Sequence, residues 1–557
     1  MSRSSAAPVL ESITMRVPFA SPLVWIGLST ALIAQHYPRI PIGYVPVERW
    51  GTPVQHDLNV GPGFINQPPI GLNGQGFNAI NLALIPQPSV NAGLVLAFDE
   101  QIQTMSAGWS QRWTIVDPST DPPTVLWNDE LIIPGPEPGN LFCSGHAWTA
   151  DGRLFVAGGT AAYGHQFGGA KLAFLYDPTP ATGAPYGVWT IQPPMVYSRW
   201  YPTVTLLGND RLMVSGGRHY QANVDSYEVF DVTSGTWEVD PVTQNAWFPG
   251  LPVGDLGAYP RMHLLSNGFV FTSGPETRAA RIDHANNPGV WTTLSDSLVP
   301  RQDGASLLIP GPEDTVMLLG GGTGTQPPTN TTQTCLPREG SAPWSFAQPM
   351  NRDRIHLNAV LLPDRTVMAI GGNDYDAAGQ AIFWKDAEWF TQGEWRSLTD
   401  GDSVRDYHST AVLLPDGRIL TAGGESRDWD WQVLSPPYFD VPWPRPSNVA
   451  VNTALWQYES NGGGPYIATF DALPTGTAIS RAVLLAPGST THHSDMGARY
   501  VDLPIVSQTN SSVGFMPPFN SCKVPNPSFS CAPRGYYMLF LVTTSGVPSR
   551  AVFVRIR

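Results

Sequence analysis

The stretch HSTAVLLPDGRILTAGG at residues 408–424 decides the fold of this chain. It holds an apolar run, an Asp-Gly turn, a second apolar run and a pair of glycines. Asp-Gly between two apolar runs is typical of a tight β-hairpin turn. Glycines at the end of a strand let neighbouring backbones approach closely. The stretch therefore predicts two antiparallel strands in a crowded all-β setting.

The same pattern recurs along the chain at intervals of about 45–60 residues, which leaves room for about four strands in each unit. A weaker copy, INLALIPQPSVNAGLVLAFD, lies at residues 80–99. The other copies are HAWTADGRLFVAGG (146–159), PTVTLLGNDRLMVSGG (202–217), PRMHLLSNGFVFTSG (260–274), GASLLIPGPEDTVMLLGGG (304–322) and LNAVLLPDRTVMAIGG (357–372).

The repeated unit resembles the kelch repeat, which builds one blade of a β-propeller. Seven copies predict a seven-bladed propeller over residues 46–437, with an array of β-sandwiches as the alternative. The repeat stops near the proline-rich segment VPWPRPSN at 441–448. Alternating apolar and polar positions then predict an immunoglobulin-like β-sandwich over residues 438–557.

The composition of the 557 residues agrees with an all-β chain. Glycine and proline occur 55 times each, too often for long helices, and the aromatic fraction of 11% is too high for a disordered chain. These values exclude a helical bundle and a coiled coil. The net charge of −14 excludes a nucleic-acid partner, because a binder of phosphate backbones needs a basic face.

The N-terminal segment, residues 1–45, contains an apolar run at 17–34 that follows two arginines. The run is typical of a signal peptide with cleavage near Ala31 or Ala34, and a buried N-terminal strand is the alternative. Its prolines and its length argue against a membrane-spanning helix. We therefore expect a secreted or extracytoplasmic protein without stable membrane insertion.

Two of the four cysteines, Cys522 and Cys531, lie nine residues apart in a Pro/Asn/Ser-rich segment. A local disulfide and a pair of thiols are both compatible with this spacing.

The register of the repeat points to a ring of reactive side chains. Cys143 and Tyr201 each lie 15 residues before the first glycine of their glycine pair, and Tyr407 lies 16 before its own. Equivalent positions on successive blades surround the axis of a propeller, so this position, here called the axial slot, predicts one redox-capable or metal-capable site at one mouth. Tyr259, Asp303 and His356 occupy or adjoin the slot in other copies.

Histidines adjoin this ring. His408 follows Tyr407, and His492-His493 lie in a Thr-rich loop of the C-terminal region. Imidazole together with phenolate oxygen suits Cu(II) in a tetragonal site. Zinc prefers close Cys/His groups in tetrahedral arrangements, which this sequence does not show.

Four separate motifs in one order resemble the copper radical oxidases, the galactose oxidase and glyoxal oxidase group. The resemblance runs from about Arg49-Trp50-Gly51 to the C-terminus, or roughly nine tenths of the chain. The motifs are Phe142-Cys143-Ser144-Gly145, Arg199-Trp200-Tyr201-Pro202, Tyr407-His408-Ser409, and Thr491-His492 with Asp495 and Met496 after it.

The resemblance implies a thioether cross-link between Cys143 and Tyr201, with a tyrosyl radical on the modified ring. Tyr201, Tyr407, His408 and His492 would hold one Cu(II) per chain, and Tyr407, the axial ligand, would act as the general base. The implied reaction oxidises a small alcohol or aldehyde and reduces O₂ to hydrogen peroxide. We expect the chain to act as a monomer.

His219 distinguishes branches of this family. Galactose oxidase-like members carry a Trp two residues after the glycine pair that follows the modified tyrosine, and here that position is His219. This resembles the glyoxal oxidase branch and implies small aldehydes, oxidised as hydrates to carboxylic acids. His219 is therefore a candidate catalytic residue, and an ordinary residue beside the site is the alternative for it. For the whole chain, the alternative is a galactose oxidase-like primary alcohol oxidase.

Arginines and other slot residues complete the candidates. Arg218, Arg301, Arg354 and Arg405 could form a cationic pocket near the mouth or lie on the solvated surface, while Tyr259 and His356 could line the pocket. Two further functions are alternatives for a chain with this repeat. A silent kelch scaffold would make the five ligand-type residues a coincidence, and a propeller glycosidase would need paired carboxylates at the axis.

Overall fold

The glycine-pair repeat folds as the sequence predicts, into consecutive antiparallel sheets. In this computed structural model almost every regular element is a β-strand. The structure describes residues 49–50, 54–55, 77–86, 89–99, 109–133, 139–162, 168–220, 222–238, 256–284, 289–310, 314–322, 326–338, 340–425, 430–522 and 531–557. The signal-peptide prediction for residues 17–34 lies outside them.

Within the described residues, seven sheets follow one another along the chain and are called blades I to VII. Blade I comprises Asn81–Leu84, Val95–Phe98, Trp109–Asp117 and Thr124–Ile133; blade II Asn140–Trp148, Leu154–Ala162, Ala173–Asp177 and Val188–Ile191, with Gly168–Gly169 beside it; blade III Thr203–Leu206, Leu212–Ser215, Tyr227–Asp231 and Thr236–Glu238; blade IV Met262–Leu264, Val270–Thr272, Ala280–Asp283 and Val290–Thr293.

The remaining blades follow the same order. Blade V comprises Ala305–Ile309, Thr315–Leu319, Thr332–Cys335 and Ser345–Ala347; blade VI Asn358–Leu361, Val367–Ile370, Asp386–Thr391 and Glu394–Asp400; blade VII Thr410–Leu413, Ile419–Ala422 and Asp430–Ser435, with Arg49–Trp50 and Val54–Gln55 on its outer edge. Two hairpins extend from blades III and VI, Arg218–His219 with Ala222–Asn223 and Asn373–Tyr375 with Ala381–Phe383.

The sheets close into a ring. First strands contact each other between blades II and III, III and IV, V and VI, and VI and VII, and the first strand of blade VII contacts that of blade I. Side chains of blade IV hydrogen-bond to blade V, and Gln111 of blade I accepts from Leu141 of blade II. The N-terminal strand supplies the outer edge of blade VII, with Arg49 paired to Ser435. Seven sheets in a closed ring are consistent with seven blades, and the predicted fold class is confirmed.

The C-terminal region forms two further sheets around a separate core of buried side chains. One sheet contains Ala450–Val451, Tyr466–Thr469, Ile505–Gln508 and Ser512–Phe515; the other contains Leu455–Trp456, Ile479–Leu485, Tyr500–Leu503, Gly535–Thr543 and Val552–Ile556. Short 3₁₀ helices lie at Pro437–Phe439 and Glu459–Asn461. In the described part of the chain, no helix is long and apolar enough to cross a membrane.

A hairpin of the C-terminal region, here called the finger (Ser489–Thr491 and Ser494–Asp495), enters the centre of the propeller. Its first strand pairs with the inner strand of blade I, where Asn81 lies opposite Thr491. It is packed so closely that a Cβ at Gly488 would lie 2.6 Å from Val412. The finger therefore carries His492 and His493, which form the turn between its two strands, to the axis.

Cys522 and Cys531 form a disulfide, which is one of the two alternatives that the spacing left open. Both sulfurs are buried against blades III and IV. Replacing both cysteines with serine is expected to lower the free energy of unfolding by about 2–3 kcal/mol, because the crosslink restricts a loop of about ten residues in the unfolded chain. Urea unfolding with and without reductant measures the effect; an unchanged midpoint in the double variant would contradict it.

Three arginines correct the sequence interpretation. Arg301, Arg354 and Arg405 are 0–1% exposed, so they are not surface residues, and they point into their own blades rather than into a shared pocket. Each donates a hydrogen bond to the carbonyl of the first glycine of the following glycine pair, as Arg199 also does. Carboxylates of the same blade pair with Arg199, Arg354 and Arg405. These arginines brace the blades.

His263 makes stability depend on pH. It is half-buried, its Nε2 lies 2.7 Å from Ser306 Oγ, and desolvation of the ring lowers its pKa from 6.5 to about 3. The unfolded chain then binds this proton at higher pH than the folded chain, so stability falls as pH drops from about 6.5 towards 3. When the pH falls from 7 to 4.5, the free energy of unfolding of His263→Asn is expected to decrease by about 2–3 kcal/mol less than that of the parent. Parallel urea melts with equal pH slopes would refute this.

Candidate metal centre

The axial slot has a backbone signature. A residue other than glycine with positive φ is uncommon and strained by about 1–3 kcal/mol, and such residues concentrate at functional sites. One slot residue in each of six blades has this conformation: Cys143 (φ 63°), Tyr201 (φ 62°), Tyr259 (φ 45°), Asp303 (φ 56°), His356 (φ 59°) and His408 (φ 67°). In blade VII the slot is therefore His408, 15 residues before Gly423, and Tyr407 precedes it, which corrects the predicted register.

Hydrogen bonds between slot residues link the blades. The amide of Tyr201 donates to the carbonyl of Cys143 over 3.0 Å, and the amide of Tyr259 donates to the carbonyl of Tyr201 over 2.7 Å. Elsewhere in the ring, between blades V and VI, the amide of His356 donates to the carbonyl of Asp303 over 2.7 Å. The slot residues thus lie side by side around one mouth of the propeller.

Five predicted site residues meet at this mouth. The Cys143 sulfur and ring nitrogens of His408 and His492 all lie within 4.8 Å of one another, and all three side chains are buried. Cys143 Sγ is 3.6 Å from His492 Nε2. The hydroxyls of Tyr201 and Tyr407 are hydrogen-bonded to each other, and the Tyr201 ring lies 4.7 Å from that of His492.

Each of the two histidines has a polar side chain close to its Nδ1 atom. His408 Nδ1 lies 2.7 Å from Glu425 Oε1, while its Nε2 is buried with no hydrogen-bond partner. His492 Nδ1 lies 2.7 Å from Thr491 Oγ1, which leaves Nε2 towards Cys143. A carboxylate on one imidazole nitrogen with the other nitrogen unsatisfied is the usual arrangement of a metal-binding histidine. The residues therefore fit a copper ion. Sequence reasoning missed Glu425, which directly follows a glycine pair.

Burial sets the protonation states. It lowers the pKa of His492 well below its usual value and also lowers that of His408, so both rings are neutral and can act as ligands. Burial likewise raises the pKa of the Tyr201 and Tyr407 hydroxyls. A bound divalent cation would reverse this and favour the phenolates.

Tyr201 lies between two aromatic rings. Trp200 stacks on it with ring centres 3.8 Å apart and planes at 16°, and Tyr259 lies on it at 4.6 Å and 21°. His219, in the blade III hairpin, has its ring against Tyr220 at 4.4 Å. The ring closest to Tyr201 is thus that of its chain neighbour Trp200, which is part of the sequence motif but was not among the predicted site residues.

A cavity of about 180 Å³ opens onto these rings. Its wall includes Tyr201, Tyr407, His492 and, as predicted, Tyr259. His356 contacts the Tyr407 ring at 4.9 Å and is not among the described residues that line this cavity. The polar part of the wall consists of Arg218, Arg261, Gln302, Asp303 and Ser494.

Two family models match the chain. The family model "Glyoxal oxidase N-terminus" matches residues 138–433, slightly more than half of the chain, and "Galactose oxidase-like, Early set domain" matches 445–556. Galactose oxidase of Gibberella zeae is 23% identical over 522 residues, covering 88% of this chain and 71% of that protein. Aldehyde oxidase GLOX of Vitis pseudoreticulata is 26% identical over 413 residues, covering 64% and 72%.

Among solved structures, a fungal alcohol oxidase of the AA5 family in complex with copper matches with a TM-score of 0.70 and 21% identity, covering 92% of this chain and 99% of that one. That likeness supports the propeller-plus-sandwich fold. The family match over more than half of the chain places it in the copper radical oxidase family, the galactose oxidase and glyoxal oxidase group.

Proposed function

We propose that this protein oxidises small aldehydes, as their hydrates, to carboxylic acids and reduces O₂ to hydrogen peroxide. The observation that carries this proposal is the size of the cavity at Tyr201, Tyr407 and His492. It measures about 180 Å³, whereas pockets for drug-sized ligands are ~300–1,000 Å³. A hydrated aldehyde of a few heavy atoms fits this space better than a hexose. The reaction RCH(OH)₂ + O₂ → RCOOH + H₂O₂ balances without another reactant.

The centre proposed for this reaction uses the residues that meet at the mouth. Tyr201, Tyr407, His408 and His492 would hold one copper ion, and Cys143 would be joined to Tyr201 by a thioether. When bound, copper supplies one of the two oxidising equivalents that the reaction needs. Tyr201, between the rings of Trp200 and Tyr259, would store the other as a radical.

Proton transfer is assigned to Tyr407. Its hydroxyl lies at the cavity wall and is hydrogen-bonded to that of Tyr201. As a phenolate it would accept the hydroxyl proton of the hydrate, which prepares the substrate for loss of a C–H hydrogen to Tyr201. His408 and His492 are held in place by Glu425 and Thr491. The two histidines would position the copper ion and would not transfer a proton.

A primary alcohol oxidase is the second candidate, since an alcohol carries the same H–C–O–H unit and would use the same residues. The similarity to galactose oxidase and to the copper-bound alcohol oxidase favours it. Its product would be an aldehyde with hydrogen peroxide. The cavity volume favours the aldehyde, and the two candidates differ only in substrate.

Peroxide release tests both candidates. The copper-loaded protein is incubated with methylglyoxal, glyoxal, galactose and benzyl alcohol in parallel, and peroxide is quantified. We expect methylglyoxal and glyoxal to give more peroxide than galactose and benzyl alcohol. Peroxide from galactose or benzyl alcohol alone would favour the alcohol oxidase, and none from any substrate would overturn the enzyme proposal.

The cross-link is tested separately by mass spectrometry. The tryptic peptides that contain Cys143 and Tyr201 should be linked and lighter by two hydrogens than their sum. Cys143→Ala should remove the link and lower activity without unfolding the propeller. Separate peptides from active protein would contradict the proposed cofactor.

Export and chain organisation are proposed from the sequence alone. We propose a secreted monomer with a propeller at 46–437 and a sandwich at 438–557. N-terminal sequencing of the exported protein and its mass in solution test these statements.

A further inference from the structure

Arg261 differs from the arginines that brace the blades. Those arginines lie two or three residues before a slot residue, whereas Arg261 lies two residues after Tyr259. It is only 7% exposed, yet it lines the cavity at the proposed copper centre. In blade IV the bracing position is Gly257, so Arg261 is not a copy of the repeated brace.

The hydrogen bonds of Arg261 leave part of its guanidinium unused. Nη2 donates to the carbonyls of Arg301 and, over 2.7 Å, Gly304, which anchors the side chain to blade V. Nη1 is buried and has no hydrogen-bond partner. A Cβ at Gly274 would lie 2.8 Å from Nη1, so the glycine keeps the space beside this nitrogen open. A buried donor without a partner is costly and points to an absent acceptor.

The charge around the cavity favours an anionic acceptor. Arg218 also lines the cavity, and its Nε donates to Asn223 rather than to a carboxylate. Among the described residues neither Arg218 nor Arg261 has a carboxylate oxygen within 4.0 Å. Asp303 is the acid in the described cavity wall, and its carboxylate faces His356, 3.7 Å away, with 53% of the side chain exposed. Asp303 and Glu276 also attract Arg261 electrostatically, without forming an ion pair with it. The cavity thus carries more cationic than anionic groups.

We propose that Arg261 binds a carboxylate on the substrate, so that the preferred substrates are small aldehydes bearing a carboxylate next to the hydrated carbonyl. This inference rests on the proposed aldehyde oxidation. A guanidinium recognises a carboxylate through charge-assisted hydrogen bonds, which are stronger than neutral ones. Arg261 lines the same cavity as Tyr201 and Tyr407, and the cavity volume of about 180 Å³ suits a substrate of about two to four carbons.

Size-matched substrates test the proposal. Glyoxylate carries the carboxylate and glyoxal lacks it, and both are oxidised by the same chemistry. With the copper-loaded protein, Arg261→Gln is expected to lower kcat/KM for glyoxylate about 10–100-fold and to change that for glyoxal less than about threefold. Arg534→Gln, which removes an exposed guanidinium from a different surface, is the matched control and should change neither.

Binding to the copper-free protein gives a readout independent of turnover. Calorimetry should show the parent binding glyoxylate, and acetate in preference to acetamide, with the preference lost in Arg261→Gln. Should that variant not fold, the acetate-to-acetamide comparison on the parent alone still decides. Equal binding of acetate and acetamide, or an equal loss for glyoxylate and glyoxal, would overturn the proposal. Absence of peroxide from every aldehyde would instead overturn the proposed function.

Discussion

Tyr407→Phe is expected to lower kcat for glyoxal by about 10²–10⁴-fold, the usual contribution of a positioned general base. The variant keeps the ring and removes only the hydroxyl that is hydrogen-bonded to Tyr201 at the cavity wall. The ring contacts of Tyr407 with His408, at 3.9 Å, and His356, at 4.9 Å, do not need the hydroxyl, so the fold should be preserved.

Tyr201, His408 and His492 remain in this variant, so copper should still bind, although more weakly. The measurement pairs steady-state peroxide release with copper content and circular dichroism. Tyr375→Phe is the matched control, because Tyr375 is 45% exposed on the blade VI hairpin. A Tyr407→Phe enzyme that holds copper and retains kcat within about threefold would show that another group takes the proton.

The fold was accessible from sequence because its signals are local. An Asp-Gly turn between apolar runs specifies a hairpin within one repeat, and seven repeats specify the ring. The same regularity gave the site, since an offset of 15 residues from the glycine pair finds Cys143, Tyr201 and His356 without knowledge of contacts. The offset is two residues too short for Asp303 in blade V, and it selects His408 rather than the predicted Tyr407 in blade VII, where the positive φ of His408 agrees with it.

Other features depend on the direction in which a side chain points, and the sequence pattern does not contain this information. Arg301, Arg354 and Arg405 precede slot residues, but the sequence does not reveal that each side chain turns into its blade towards a glycine carbonyl. Stacking of Trp200 on Tyr201 is equally a matter of side-chain rotation. Polar side chains are the hardest to place because their partners come from distant segments.

Glu425 is such a partner, and its replacement is expected to have the second large effect. Its carboxylate holds His408 Nδ1 at 2.7 Å, and the neighbouring imidazole lowers the pKa of Glu425, so the carboxylate is charged. Removing a partner of this kind from a ligating histidine weakens metal affinity about 10–100-fold. Glu425→Leu should therefore raise the copper dissociation constant by that factor. Glu425→Gln keeps an acceptor for Nδ1 and should have a smaller effect.

Copper affinity is measured by competition with a chelator, which does not depend on turnover, and the Cu(II) EPR spectrum reports the geometry of the bound ion. Glu459→Gln, an exposed glutamate of the C-terminal region, is the control. Copper affinity should decrease in the order parent, Glu425→Gln, Glu425→Leu, because the carboxylate makes two separable contributions. The negative charge makes the imidazole a stronger donor, and the hydrogen bond keeps Nε2 aimed at Cys143 and His492. Equal affinities in all three proteins would mean that burial alone positions His408.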